Sequence, residues 1–398
     1  MTRIDKNHPS AAWLSALRER LPCETEVDRV LTRKLTRRAG PAYAPVSLDT
    51  LIAGIEALLR SASIGHFSVS DAAWLSGGAS KLQMAFTLHW HEPAVGPTDS
   101  ALVLRMEPSE SICETSRLRE FQIIQALAGQ VPLPIAYWVD LHGEFLPYPA
   151  IIYGFVKGVA KPTASHSRVT GVGTFMPPGV RPALGAQFAA HLGRIHAYDW
   201  RGADLSAFDQ PAPGTQAVTW DLNHWERVWE EDANEDVPLM RLAMAWIRAN
   251  MPPVDHVSVV HGDYRTGNFL FTEHDHQISA WLDWEMAYLG DRHGDLAWAS
   301  KELLGHLAED GETFLVGGLL PRAAFFAAYE KSSGLAVIPE VLRFYDIFGT
   351  YKIVAICLAT GFRAAHNGKT HQDVLVAWLT GISYSLLDDL RAKLGAVL

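Results

Sequence analysis

Residues 257–298 read VSVVHGDYRTGNFLFTEHDHQISAWLDWEMAYLGDRHGDLAW. Two apolar runs of β character flank polar loops, and each loop presents acidic or amide side chains at fixed offsets. Asp263 and Asn268 stand five apart in the first loop, and Asp283 follows the second strand. Metal-assisted phosphoryl transfer requires this H-x-D-x-x-x-x-N arrangement with a later Asp. One carboxylate orients the attacking hydroxyl and takes its proton, while an amide and a second carboxylate hold Mg²⁺ on nucleotide phosphates. Hard oxygen ligands suit that hard cation.

Around this stretch, helical periodicity predicts helices over 183–199, 219–232, 237–250, 294–308, 320–332, 339–365 and 371–393. A polar loop embedded in a helical region is where chemistry is expected. Upstream the pattern differs. Ser47 precedes an apolar 3.6-residue stripe over 47–61, strands are predicted over 67–90 and 100–107, a helix over 116–129, and strands over 133–139 and 149–156. The Gly/Pro-rich stretch 156–182 reads as a loop at a lobe boundary, and AGPAYAP (39–45) closes a short helical arm. The reading is therefore α+β with an arm at 1–45, a β-rich unit at 46–156 and a helical unit at 157–398.

Composition excludes several classes. Of 398 residues, 48% are hydrophobic and 20% charged, which is globular. Net charge is −10, and the arm is the basic part, so the acidic body is a poor match for nucleic acid. The basic run Arg29, Arg33, Lys34, Arg37 and Arg38 reads as a solvated helix face or a small anionic contact. Cys23, Cys113 and Cys357 supply neither a disulfide framework nor a zinc site. With no unbroken apolar core in the first 22 residues and no stretch of about 18 apolar residues anywhere, the expectation is a soluble cytoplasmic protein with no membrane partner.

Three segments, HGDYRTGN (261–268), LDWE (282–285) and GDRHGDLA (290–297), give the chain a family likeness. From about Ser47 to near its C-terminus the sequence resembles the aminoglycoside phosphotransferase and choline kinase superfamily. Within it the chain looks most like the branch related to the kinase domain of acyl-CoA dehydrogenase 10/11-type proteins. The resemblance implies a protein-kinase-like fold, with a small β-rich N-lobe and a larger helical C-lobe, and an enzyme using ATP and Mg²⁺ to phosphorylate a hydroxyl of a small molecule. Carried over by position, Asp263 is the catalytic base, Asn268 and Asp283 the metal ligands, His261 a structural member of the loop and Leu270 the floor of the adenine. Arg265 either neutralises transition-state charge or simply pairs with Asp263. Glu285 either binds a metal-bound water or supports its neighbours, and Asp295 buttresses the loop backbone. In the N-lobe, the turn SGGAS (76–80), with Gly77, Gly78 and Ser80, cradles phosphates or is only a hairpin. Arg105 stands where a phosphate-binding Lys is usual, with Glu120 its partner, and Val103, Tyr153 and Phe155 enclose the base.

The chain departs from the family pattern at Arg292 and His293, where Pro usually follows the first Asp, which concerns the local loop shape. His274 and His276 read as a solvated hairpin. Trp225 and Trp229 read as core or as a cage for a cation, and the acidic cluster at 230–236 as a solvated helix end or a polycation site. The branch resembled points to a hydroxyacyl-CoA acceptor, with Lys352 and Arg363 lining its approach and Tyr351 beside Lys352 near the cleft mouth. The alternatives are an aminoglycoside or choline-like acceptor, or a nucleotide-binding module without catalysis. A protein kinase is disfavoured because the loop reads HGD and DWE replaces DFG.

Overall fold

The computed structural model describes residues 4–75, 80–163 and 174–398. The arm forms two helices, α1 (Ala11–Arg20) and α2 (Thr25–Arg37), followed by α3 (Leu48–Ser61). The Ser47 hydroxyl accepts a hydrogen bond from the Thr50 amide at 3.1 Å, capping α3. Leu51, Ile55, Leu58 and Leu59 of α3 then pack on a sheet.

That sheet comprises β1 (Ser68–Trp74), β2 (Leu82–Glu92), β3 (Gly96–Met106), β4 (Ala136–Asp140) and β5 (Ala150–Gly154), with α4 (Arg117–Ala126) between β3 and β4. Its order is β1-β2-β3-β5-β4, and all neighbours are antiparallel. Period-2 alternation divides its faces. Leu82, Met84, Phe86 and Leu88 of β2 and Leu102, Leu104 and Met106 of β3 form one core with α3. Val103 and Arg105 therefore face the other way, and register pairs Val103 with Tyr153 and Arg105 with Ile151. Val103, Ile151 and Tyr153 join a second core shared with the helical lobe.

That lobe contains α5 (Arg181–Ala197), α6 (Gln216–Asp232) and α7 (Pro238–Ala249). Next come β6 (Val257–Val260), β7 (Phe269–Thr272), β8 (Gln277–Trp281), β9 (Tyr288–Asp291) and α8 (His293–Ala299). β6 pairs with β9 and β7 with β8, which brings both polar loops to one end of the paired strands. Beyond lie the short strands β10 (His306–Leu307), β11 (Phe314–Val316) and β12 (Leu320–Pro321), then α9 (Arg322–Ser333), α10 (Pro339–Val354), α11 (Phe362–His366) and α12 (Asp373–Gly395).

Three sequence expectations are corrected. The helix expected over 294–308 stops at Ala299, where the Ser300 hydroxyl bonds back to Leu296 O at 2.6 Å and the chain turns into the β10–β11 hairpin. Such side-chain bonds to the backbone compete with helix continuation. The helix expected over 339–365 is interrupted by a π-helical segment at 355–361. The charged runs are only partly solvated: Lys34, Arg38, Glu231 and Asp232 are buried, while Arg37, Glu235 and Asp236 are exposed. Lys34 Nζ lies 3.0 Å from Glu231 and 2.9 Å from Asp232, while Arg38 bridges Asp232 and Glu110. Among the described residues no helix is long and apolar enough to cross a membrane.

Candidate active site

The loop between β6 and β7 is fixed from beneath by Asp295 of α8, whose carboxylate accepts from the His261 amide at 2.7 Å and the Gly262 amide at 2.9 Å. His196 sits 3.2 Å from the same carboxylate. Gly262 has φ +84°, and a Cβ there would lie 2.4 Å from the backbone oxygen of Met286, so the position admits only glycine. The Asp263 amide donates to His261 Nδ1 at 3.2 Å, which leaves Nε2–H to donate to Leu282 O at 3.0 Å. His261 thus ties the Asp263 loop to the segment carrying Asp283.

Four N–H···O contacts hold the Asp263 carboxylate. Arg265 Nε donates to Oδ1 at 2.9 Å and to Oδ2 at 3.0 Å, Trp298 Nε1 to Oδ1 at 2.7 Å, and Asn268 Nδ2 to Oδ2 at 2.7 Å. Arg265 therefore stands as the partner of Asp263. Trp298 was not foreseen, because it reaches Asp263 from 35 residues away and its sequence context, LAWAS, reads as an apolar helix face.

Asn268 also donates from Nδ2 to the backbone oxygen of Asp263 at 2.9 Å. Both amide hydrogens are spent, so Oδ1 is the atom that remains for a cation. Asp283 has φ +66° and ψ 46°, left-handed for a non-glycine residue, a conformation that persists where surrounding structure imposes it. Its Oδ1 is met by the Arg105 guanidinium, a positive group beside the carboxylate in place of a metal. Among the described residues no three His, Cys, Asp or Glu side chains converge. The donor set thus fits an ion that takes one carboxylate and one amide from protein and the rest from phosphate and water, as Mg²⁺ does.

Arg105 carries the lobe-to-lobe link. Nη1 donates to Glu120 on α4 at 2.8 Å, and Nη2 meets Asp283 and also lies 3.0 Å from Glu285. Glu285 is the centre of this network. Lys81 Nζ lies 3.1 Å and Arg117 Nη2 3.1 Å from its Oε2, and the Ser80 hydroxyl donates to Oε1 at 3.0 Å. Burial alone would raise the Glu285 pKa, but Lys81, Arg105 and Arg117 outweigh it and hold the carboxyl well below its usual range. Lys81 and Arg117 escaped the sequence reading. The signal for Lys81 was its place directly after SGGAS.

Of the residues expected around the base, Val103 and Tyr153 form a cross-strand pair. Phe155 is exposed, with its amide on Ala101 O at 2.8 Å. The chain then docks on β7 through reciprocal backbone bonds between Val159 and Phe271, at 2.9 and 3.0 Å, beside Leu270. Gly77 and Gly78 lie outside the described residues.

A partly enclosed cavity reaches this centre at Gly262 and Glu285 and is walled mainly by α2, α6 and the segment 286–289. Lys352 lines it but is committed to Asp221 at 2.6 Å and rests over the Phe348, Tyr288 and Trp225 rings. Tyr351 is buried among apolar side chains. Arg363 is spent on Asp232 O, Asn7 and Asn234, so it does not line the approach expected of it. Trp225 and Trp229 belong to the core.

Residues 93–345 match the profile of the family described as Phosphotransferase enzyme family, APH. Acyl-CoA dehydrogenase family member 10 of Mus musculus is 25% identical over 269 residues, covering 65% of this chain and 24% of that protein. Member 11 of Gallus gallus is 25% identical over 269 residues, covering 64% of this chain and 33% of that protein. The matched region thus spans between a quarter and a third of these curated relatives. Among solved structures, a candidate aminoglycoside phosphotransferase from Ralstonia eutropha aligns with TM-score 0.60 and 21% identity, over 85% of this chain and 97% of that one. A macrolide 2′-phosphotransferase type I aligns with TM-score 0.52 and 17% identity, over 84% and 99%. A GDP complex of an aminoglycoside 2′-phosphotransferase aligns with TM-score 0.52 and 15% identity, over 85% and 97%. These likenesses show a kinase-like fold.

Proposed function

The chain belongs to the phosphotransferase enzyme family, and from that premise we propose that it transfers the γ-phosphoryl group of ATP, with Mg²⁺, to a hydroxyl of a small molecule. Small-molecule kinase is the coarse description. The observation that carries the finer reading is the shared loop in which one side chain, Asn268, holds Asp263 by its amide hydrogens and keeps Oδ1 for a cation. GDP in a structural neighbour supports a nucleotide as donor.

In this reading Asp263 receives the proton of the acceptor hydroxyl as its oxygen bonds to phosphorus and the bond from phosphorus to the β,γ-bridging oxygen breaks. Trp298 and Asn268 fix the carboxylate's direction. Asn268 Oδ1 and Asp283 would hold Mg²⁺, which would supply neutralising charge on the phosphates. Arg105, anchored by Glu120, would bring its charge to phosphate oxygens by turning Nη2 from Asp283 once that carboxylate takes the cation.

For the acceptor, the pairing of the charges at the cavity argues against a polycation. Asp221 is paired with Lys352 and Glu285 with three cations, while the acidic residues Glu231 and Asp232 are consumed by Lys34, Arg38 and Arg227. Among the described residues lining the cavity no cluster of unpaired carboxylates converges to meet several ammonium groups, which favours a hydroxyacyl compound, including a hydroxyacyl-CoA, over an aminoglycoside. The test is ATP consumption across a panel of hydroxylated metabolites. Turnover of hydroxyacyl compounds supports the reading, and turnover of kanamycin alone overturns the acceptor while leaving the chemistry.

A further inference from the structure

The acceptor cavity has a wall from the one part of the chain that no reading of the kinase core requires. Glu24, Val27, Val30, Leu31 and Lys34, all at or within α2, line it opposite α6. α2 is no loose appendage. Besides Lys34 and Arg38, Arg33 pairs with Glu107 at 2.6 Å, and Glu24 Oε2 accepts from Arg119 on α4 at 3.0 Å. The helix therefore bridges residues of both lobes above the cavity, and its apolar residues at 27, 30 and 31 follow the i, i+3, i+4 stripe that one helix face presents.

Within this wall Glu24 is anomalous. It is 93% buried, since only 7% of its surface is exposed. Its second oxygen, Oε1, is buried with no hydrogen-bond partner. It stands at the N-cap position of α2 yet caps nothing. A buried acceptor left without a donor is costly, and in folded proteins such groups are nearly always satisfied by protein, water or a bound molecule. The other charges facing the cavity are matched: Lys34 by Glu231 and Asp232, and Asp221 by Lys352. His224 is neutral near pH 7, since burial, with Lys352 and other cations nearby, pushes its pKa down to about 3.

We propose that α2 is part of the acceptor site, with Glu24 as a specificity-determining residue whose free oxygen receives a hydrogen bond from an N–H or O–H of the acceptor, while Val27 and Leu31 cover its apolar body. The acceptor class is then a hydroxyl compound with an apolar portion and one further donor, and not a polycation. This rests on the kinase reading above and names the acceptor of that same site.

The experiment uses the full chain with Mg-ATP and four probes: 3-hydroxybutyryl-CoA, 3-hydroxyoctanoyl-CoA, kanamycin A and choline. For the wild type, kcat/KM is expected to be higher by about tenfold or more for the eight-carbon than for the four-carbon thioester, as burial of four further methylenes requires. Glu24→Gln, whose carbonyl can still accept from Arg119, is expected to raise the thioester KM by about tenfold with kcat little changed. Val27→Trp, which fills the wall, is expected to raise KM for the longer probe more than for the shorter. A role of these residues in folding alone would not produce such a split. If the wild type phosphorylates the thioesters and both variants keep its KM values and chain-length preference, the proposal is overturned and the kinase reading stands. Preference for kanamycin or choline overturns it likewise. If no probe or other hydroxylated metabolite accelerates ATP consumption, both readings fall together.

Discussion

Asp263 meets donors from its own loop and from α8, and these contacts separate residues that do chemistry from residues that aim them. If Asp263 takes the acceptor's proton, Asp263→Asn lowers kcat by roughly 10²–10⁴ and leaves nucleotide affinity near the wild-type value, as titration with an ATP analogue will measure. Trp298→Phe removes only the indole donor at 2.7 Å. It is expected to lower kcat by about tenfold, the effect of one hydrogen bond to a charged group, with the acceptor KM little changed. At the cation position, Asp283→Ala should cost more activity than Asn268→Ala, since a carboxylate supplies charge that an amide does not. Raising Mg²⁺ is expected to rescue the Asn268 variant further than the Asp283 variant. Arg105→Lys keeps one charge but loses the fork that spans Glu120 and Asp283, and steady-state kinetics should show a raised KM for ATP.

Between elements, α2 docked on α6 makes a prediction with a definite pH sign. Burial would raise the Asp232 pKa, but Lys34, Arg38 and the Thr360 hydroxyl outweigh it and hold the carboxyl well below the usual range. A carboxyl depressed in the folded state stabilises fully above its unfolded pKa of about 3.9 and loses that contribution as pH falls further. Chemical unfolding is therefore expected to show stability dropping below about pH 4, with a shallower drop in Asp232→Asn. At neutral pH that variant should be destabilised by about 1–3 kcal/mol, because Lys34 and Arg38 each lose one buried carboxylate partner while keeping Glu231 and Glu110. This docking was not legible in the sequence, where the basic run read as a solvated face or a small anionic contact and the acidic run, nearly 200 residues away, as a solvated helix end or a polycation site. The strands around Asp263 were legible, because their apolar period and the offsets of Asp263, Asn268 and Asp283 are local. The end of α8 and the π-helical segment were misjudged because apolar periodicity runs on past Ser300, whose hydroxyl bonds back to Leu296 O in the last turn, and through 355–361, where the helix changes its hydrogen-bond pattern without a break in that periodicity. Arg117 was missed because nothing adjacent in sequence marks it as a partner of Glu285, whereas Lys81 had a local signal in its place directly after SGGAS.

In the whole molecule, the five-stranded sheet and the helical lobe meet through Arg105 and Glu285, and α2 of the arm walls the cavity beside them. In the proposed reaction Arg105 of one lobe would meet the nucleotide phosphates while the base and cation ligands come from the other, so transfer would need both lobes together. The central claim is that Asp263 takes the proton of an acceptor hydroxyl as that hydroxyl receives a phosphoryl group directly from ATP. Its most direct test is mass-spectrometric detection of phosphorylated acceptor after incubation with Mg-ATP, for the wild type and for Asp263→Asn at matched nucleotide occupancy. The account predicts acceptor phosphorylation in step with ADP release for the wild type, and a rate at least about 10²-fold lower for the variant. Near wild-type product from Asp263→Asn, or ADP released by the wild type with no phosphorylated acceptor formed, would contradict it.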